Sequence, residues 1–332
     1  MRRAAVLGSG SWGTAFAMTM AESGVEVTMW GRRAEIVDQV NAGENKAYLP
    51  GVPLPARMRA TTDAAEALER ADIVVLAVPS QTLRGNLVEW ADLIPSDAAV
   101  VSLMKGVELG TTKRMSEVIA EVGRVETPRI VVVSGPNLAR EIAVKQPAAS
   151  VVACQDEATA EVVANSCATP WFRPYTNDDV IGIELGGAVK NVVALAVGMA
   201  AGMGMGDNSK ASLITRGLAE TARLGGALGA DPATFMGLAG VGDLIATCMS
   251  PLSRNRTFGE MLGRGMTVAE VTAATSQTAE GVKSCESIHE LSLDHGVDMP
   301  IVGAVVGVVR GEVTPRQMVK ELMTRTLKSE SA

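Results

Sequence analysis

Near the N-terminus, "VLGSGSWGTAFA" sets Gly8, Gly10 and Gly13 in G-x-G-x-x-G spacing, directly after an apolar run and at the opening of a helical pattern. The first glycine permits a tight turn, the second lets backbone approach a pyrophosphate, and the third lets helix and strand pack closely. Amides at the helix N-terminus then face the phosphates. The triplet alone is a weak signal, because a chain with 34 glycines produces chance matches. Its place ahead of a β-α-β pattern gives it weight.

That pattern comes from short apolar runs at 4–8, 25–30, 72–78, 98–104, 129–134 and 149–154, each bounded by Gly, Pro or Ser. Runs rich in Val, Ile and Leu suit strands buried on both faces of a parallel sheet. The segments between most of them, such as "SQTLRGNLVEWADLI", have the length of crossover helices. We therefore expect an α/β protein with an N-terminal doubly wound, Rossmann-type, mostly parallel sheet. After about residue 180 helix punctuation takes over: Asp231-Pro232, Thr314-Pro315 and the capping box "TVAE" at 267–270. Helices are expected over 279–296 and 315–328. The reading is a dinucleotide-binding domain at 1–182 and a mainly α-helical substrate and catalytic domain at 183–332.

A net charge of −7 argues against non-specific nucleic-acid binding but leaves room for a local basic pocket. Four cysteines without C-x-x-C spacing and two histidines make a zinc site improbable, so no metal is expected and the thiols read as small, reduced, apolar residues of a cytoplasmic protein. "MRRAAVLGSGSWG" starts like a signal peptide, yet its apolar run ends after about five residues, too short for an h-region. No window reads as holding the about 20 apolar residues of a membrane span, so no membrane insertion is expected.

The nearest approach to such a span is "ELGGAVKNVVALAVGMAAGMGMG" (184–206), whose one lysine, Lys190, poses a question. It is a stray charge in a membrane helix, a snorkelling surface lysine, or a buried amine that does chemistry. Val189, Val192 and Val193 bring apolar surface, while Gly186 and Gly187 let ligand or backbone come close. Burial disfavours an ammonium, which suits a lysine to proton transfer. The two histidines, His289 and His295, lie in a late amphipathic segment and read as ordinary surface or core residues.

In open parallel sheets ligands bind beyond the carboxyl ends of the strands. Those ends carry "PSQ" (79–81), "MKGVE" (104–108) and "SGPNLARE" (134–141). Lys105 is there a cation on backbone able to approach a ligand, and Gly135 opens a helix entry with free amides. After the second strand, Arg32 and Arg33 stand where an NAD-selective site places an acid for the ribose 2′-hydroxyl. Guanidiniums can grip a 2′-phosphate, which predicts NADPH over NADH; a solvated arginine pair is the alternative. "SRNRTFG" (253–259) offers Ser253, Arg254 and Asn255 to a phosphoryl group, or is simply a polar loop.

In order along the chain, "GSGSWGTA", "WGRR", "KGVE", "SGPNLARE", "ELGGAVKNVVALAVGM", "NSKASLITRGLAE", "DPATFMGLAGVGDLIATC", "SRNRTFG" and "AEG" closely resemble the bacterial NAD(P)-dependent glycerol-3-phosphate dehydrogenase family, over residues 4–325. The resemblance implies interconversion of dihydroxyacetone phosphate and sn-glycerol 3-phosphate, feeding phospholipid synthesis, with NADPH or NADH as cofactor. It implies Lys190 as the proton-transfer residue. Family cofactor contacts fall on Ser11, Trp12, Arg32, Arg33, Lys105, Ala139, Arg254 and Glu280. Substrate contacts fall on Lys105, Gly135, Lys190, Asp243, Ser253, Arg254 and Asn255. Some positions depart from the pattern: Asn137 stands where the family commonly has Ser or Thr, Leu138 where it has Phe, and Thr278 and Ala279 where it often has Val. On those places Asn137 is expected to contact substrate and Thr278 cofactor. A homodimer is expected from family habit.

Reduction of a ketone leaves charge on the carbonyl oxygen, which a donor must stabilise and protonate. We expect Lys190 to do so, with Asp243 orienting the lysine or the substrate hydroxyl and Lys105 bridging cofactor and substrate. Dehydrogenases of the 6-phosphogluconate and ketopantoate type are rivals that "DPATFMGLAGVGDLIATC" and "SRNRTFG" fit poorly. A binding-only NADPH sensor would give no reason for Lys190 and the polar set at 243–255 to coexist.

Overall fold

The computed structural model describes residues 1–275, 279–327 and 329. Eight strands form one sheet: β1 Arg3–Leu7, β2 Glu26–Trp30, β3 Met58–Thr61, β4 Ile73–Leu76, β5 Ala99–Ser102, β6 Ile130–Ser134, β7 Ala148–Ala153 and β8 Phe172–Asn177. Their order is β3-β2-β1-β4-β5-β6-β7-β8, so strand order reverses at β1 and a crevice opens between the ends of β1 and β4. All neighbours pair in parallel except β6 and β7, which are antiparallel.

The six expected strands all form, each within a few residues of its apolar run. Two more, β3 and β8, gave no such signal because they are the two edges of the sheet. An edge strand needs no apolar residues on both faces, and "FRPYTN" even carries Pro174, which an edge tolerates.

From Val180 to Gly202 runs a single 23-residue helix, capped at its start by Asp179, whose carboxylate accepts from Gly182 N at 2.8 Å. The expected boundary at 182/183 falls in its first turn. This helix corrects the expectation that no window is long and apolar enough for a membrane span: by length and composition it is, at a mean hydropathy of 1.7. What distinguishes it is packing, for 94% of that window is buried inside the protein. A helix apolar all round is a core helix when other helices enclose it. Here helices Asp207–Ala227, Asp243–Met249, Arg254–Gly263, Glu280–Asp294 and Pro300–Val309 do so.

Its glycines explain how closely they come. A Cβ on Gly198 would lie 2.1 Å from the Arg256 carbonyl, and one on Gly259 would lie 2.1 Å from the Leu195 carbonyl. Backbone thus meets backbone between the central helix and helix Arg254–Gly263.

Helix punctuation is realised at Thr267 and Thr314, each with a complete capping box. The late helices are shorter than expected, at Glu280–Asp294 and Pro315–Met323. Asp231 does cap, but only a five-residue 3₁₀ turn, Pro232–Met236. All four cysteines are buried free thiols.

One buried acid tunes the helical half. Glu220 caps helix Pro300–Val309, accepting from Ile301 N at 2.8 Å and Val302 N at 3.3 Å. Burial nevertheless pushes its carboxyl up to about 7, the two amides opposing. The folded state then holds a proton that the unfolded chain releases near 4.5, so this group's contribution is full below 4.5 and is lost as pH rises through 7. Glu220→Gln, which keeps an acceptor and cannot ionise, should gain thermal stability relative to wild type between pH 5 and pH 8, by a few degrees at about 2–4 °C per kcal/mol. Parallel melting-temperature curves across that range would refute the assignment.

Candidate active site

The glycine loop joins β1 to helix Ser11–Glu22. Gly8 has φ +130°, and a Cβ there would strike the Ala77 carbonyl at 2.4 Å, so this turn requires glycine. Gly13 touches the loop from the helix side, 2.5 Å from the Gly8 carbonyl by the same construction. Gly10 differs: a Cβ there meets nothing within 4 Å. It caps the helix without a side-chain bond, leaving the first amides free toward open space. Trp12 Nε1 is buried without a partner, beside those amides in sequence. A bare backbone, free amides and an orphaned indole donor fit a dinucleotide's pyrophosphate.

Beyond β2, Arg32 and Arg33 are exposed. Arg33 Nη2 donates to Tyr48 Oη at 3.1 Å, its guanidinium lies 5.5 Å from the Tyr48 ring centroid, and Ser11 Oγ donates to the Tyr48 carbonyl at 3.0 Å. Tyr48 therefore ties the glycine loop to the arginine pair. No sequence signal pointed to it, since its loop carries neither motif nor periodicity.

The chemistry-bearing cluster lies where the sheet's carboxyl edge meets the central helix. Lys190 Nζ sits 2.8 Å from Asp243 Oδ1 and donates to Thr247 Oγ1 at 2.5 Å. Lys105 Nζ donates to Asp243 Oδ2 at 2.7 Å and to the Gly135 carbonyl at 3.0 Å. The Lys190 side chain is 8% exposed, Asp243 2% and Lys105 14%. Of the three readings of Lys190, only a buried, ion-paired amine describes this. Thr247, which the sequence reading missed, stands four residues after Asp243 on helix Asp243–Met249, one turn on along the same face. That spacing was the available signal.

A second polar chain surrounds the first. Asn191 Nδ2 donates to the Lys105 carbonyl at 3.2 Å, Asn255 Nδ2 to Asn191 Oδ1 at 2.9 Å, and Gly281 N to Asn255 Oδ1 at 2.9 Å. Ser253 caps helix Arg254–Gly263 and is buried, whereas Arg254 is exposed with no hydrogen bond or ion pair among the described residues. Glu280 accepts from Ser80 Oγ at 2.8 Å, joining helix Glu280–Asp294 to the turn after β4. Asn137 donates to Ser150 Oγ at 3.0 Å, and its Oδ1 is buried without a partner. Ala139 begins a short half-buried helix behind Gly135. Thr278 lies outside the described residues. His289 and His295 are absent from all these contacts.

A Rossmann-type sheet, a glycine loop at its switch point and a lysine pair on one acid at the seam with a helical lobe define a two-lobed NAD(P)-dependent oxidoreductase. Residues 3–160 match the NAD-dependent glycerol-3-phosphate dehydrogenase N-terminus family, and residues 179–320 match its C-terminus counterpart. A glycerol-3-phosphate dehydrogenase [NAD(P)+] of Streptomyces avermitilis is 64% identical over 329 residues, covering 99% of this chain and 98% of the relative. One from Thermobifida fusca is 62% identical over 332 residues, covering 99% of each chain. The crystal structure of glycerol-3-phosphate dehydrogenase from Coxiella burnetii superposes with a TM-score of 0.92 at 37% identity, covering 98% of this chain and 99% of that one. The chain belongs to the NAD-dependent glycerol-3-phosphate dehydrogenase family.

Burial drives the Lys105 ammonium down to about 8; Asp243 opposes this and the neighbouring Lys190 adds to it. Labelling of Lys105 by an amine-selective reagent, followed by mass spectrometry, should rise with a midpoint near pH 8, well below the about 10.4 of a solvated lysine. Asp243→Asn removes the opposing charge and should move that midpoint lower still. An unshifted midpoint in both proteins would contradict the electrostatics of the cluster.

Proposed function

We propose that this chain reduces dihydroxyacetone phosphate to sn-glycerol 3-phosphate, and runs the reverse reaction, with Lys190 as proton donor and acceptor. The observation that carries this reading is the pair of ammonium groups on the two oxygens of Asp243, at the carboxyl edge of a dinucleotide-binding sheet. When bound, the nicotinamide dinucleotide supplies or accepts the hydride. Gly8, Gly10, Ser11, Trp12 and Gly13 would hold its pyrophosphate end, Arg32 and Arg33 its ribose phosphate, and Ala139, Arg254, Glu280 and, outside the described residues, Thr278 would be its further contacts. Gly135, Asn137, Ser253, Arg254 and Asn255 would seat the triose phosphate.

Lys190 is suited to its part because its Nζ is held between a hydrogen bond to Thr247 Oγ1 and an ion pair with Asp243 Oδ1. A proton delivered to a nascent alkoxide leaves a neutral amine that Asp243 and Thr247 keep in place for reprotonation. Lys105 brings a second positive charge to the same spot, where a substrate oxygen gains charge. NADPH is the proposed preferred cofactor and NADH the lesser one, supported by two exposed arginines where an acid would favour NADH. We further assign the protein to the cytoplasm, as a homodimer serving glycerophospholipid synthesis; the family membership and four free thiols are in keeping with this. The division into lobes at 182/183 belongs to the same proposal.

The test is NADPH oxidation with dihydroxyacetone phosphate, beside 2-ketopantoate and a no-substrate control; turnover only with 2-ketopantoate would defeat the substrate assignment. Lys190→Ala should lower kcat about 10²–10⁴-fold with KM for NADPH nearly unchanged, and a folded variant with normal kcat would remove Lys190 from the mechanism. Arg33→Ala should raise KM for NADPH about tenfold, the equivalent of about 1.4 kcal/mol, and leave that for NADH within twofold.

A further inference from the structure

Lys105 stands on a loop, 105–114, that returns on itself: Val107 and Arg114 pair as an isolated antiparallel bridge, and Glu108 N donates to the Lys113 carbonyl at 2.9 Å. The sheet lobe grips its outer end, where Arg84 forks onto Glu108 at 3.0 Å and 2.9 Å. Its inner side lies along the central helix. There Glu184, buried, accepts from Arg114 Nη1 at 2.7 Å, from Ser116 N at 2.8 Å and from Ser116 Oγ at 2.5 Å. Seven residues further along the helix, Asn191 donates to the Lys105 carbonyl.

Glu184 and Asn191 are two turns apart, so they share a face of the helix, about 10 Å from one another along its axis. Between them on that face is Gly187, where a Cβ would come within 3.4 Å of Lys105 Cγ. The loop is thus fastened to the helix at two points, with the Lys105 stem laid across the bare backbone between. Burying a carboxylate costs free energy, and burial does push Glu184 upward against Arg114 and Ser116. Helix Met115–Gly123 has an acid of its own in the first turn, Glu117, which accepts from Arg114 N at 2.8 Å.

We infer that Arg114 and Glu184 are a positioning pair for the reaction: they set the register of the Lys105 loop along the helix that carries Lys190, so that both amines meet the two oxygens of Asp243. The inference rests on the roles proposed above for Lys105 and Lys190. Neither Arg114 nor Glu184 reaches the ammonium groups, so their effect is through Lys105.

Glu184→Gln retains shape and loses the charge; Arg114→Lys retains charge and loses the planar guanidinium that meets Glu184 through Nη1 and Glu117 through Nη2; both are milder than alanine. Each should lower kcat/KM for dihydroxyacetone phosphate about tenfold to a hundredfold, as expected for a displacement near 1 Å, with KM for NADPH within twofold. In both, Lys105 labelling should shift its midpoint upward toward an ordinary lysine as the loop loosens and admits water. Glu184→Asp, with Arg114 intact, should recover part of the loss. A merely structural pair would lower the melting temperature and leave kinetics per folded site and the labelling midpoint unchanged, and that outcome overturns the inference. Should either variant fail to fold, the other and Glu184→Asp carry the same readouts. Lys190→Ala assayed alongside separates the two ideas: an inactive Lys190→Ala with an unaltered Glu184→Gln removes only the positioning pair, whereas an active Lys190→Ala removes the mechanism beneath it.

Discussion

One carboxylate organises this protein's interior. Asp243 gives one oxygen to Lys105 and the other to Lys190, so the spacing of two amines is fixed by the width of a single carboxyl group. Each amine arrives from a different part of the chain, Lys105 from the loop after β5 and Lys190 from the central helix. Two ammoniums and one carboxylate in a nearly dry seam leave an excess of positive charge. Burial outweighs the attraction of Asp243, and the Lys190 ammonium adds to it, so the Lys105 amine is pushed down to about 8. An arrangement of this kind is poor material for stability, because buried ion pairs seldom outdo well-packed apolar residues.

The fold brings these groups together by making backbone, rather than side chains, the contact surface. Gly8 lets β1 turn against β4, Gly187 lets the Lys105 stem cross the central helix, and Gly198 and Gly259 let two helices meet carbonyl to carbon. Glycine in a helix costs roughly 1 kcal/mol relative to alanine. The enclosing helices offset that by burying every side chain from Glu184 to Ala200 on the central helix. The same tight packing leaves the polar chain of Asn191, Asn255 and Gly281 no room to choose other partners, which carries order from Lys105 to the helix that begins at Glu280.

Much of this could be read along the chain. The glycine loop, six strands and the isolated Lys190 announced themselves because each depends on local chemistry: a turn needing no Cβ, a run apolar on both faces, a charge out of place. The edge strands β3 and β8 did not, since half their surface faces water and their composition looks like loop. Nor did the partners of the buried charges. Glu184 meets Ser116 across 68 positions of sequence, so no periodicity within either segment marks that pair; Lys190 meets Thr247 across 57, and the one local sign was Thr247 standing one turn after Asp243. The long helix misled in the other direction. Its composition satisfies a membrane span, and only the five helices around it show that its apolar surface is met by protein.

The charge excess also bears on which chemistry the seam serves. A protein that only sensed a dinucleotide would need the glycine loop and the arginine pair, both on the sheet lobe, and nothing at the seam. The lysine pair lies instead beyond the ends of β5 and β6, and Lys105 is bound to the carbonyl of Gly135. In the proposed reaction an anion entering there would meet both ammoniums before any bond changes. As hydride adds to a ketone, negative charge moves onto an oxygen that has no proton of its own, and under the proposed mechanism the cost of that charge would fall where two cations are preset and buried. In the proposed reaction, phosphate in the substrate and alkoxide in the transition state would call on the same surplus, which gives a thermodynamic reason for a fold to hold two amines on one acid.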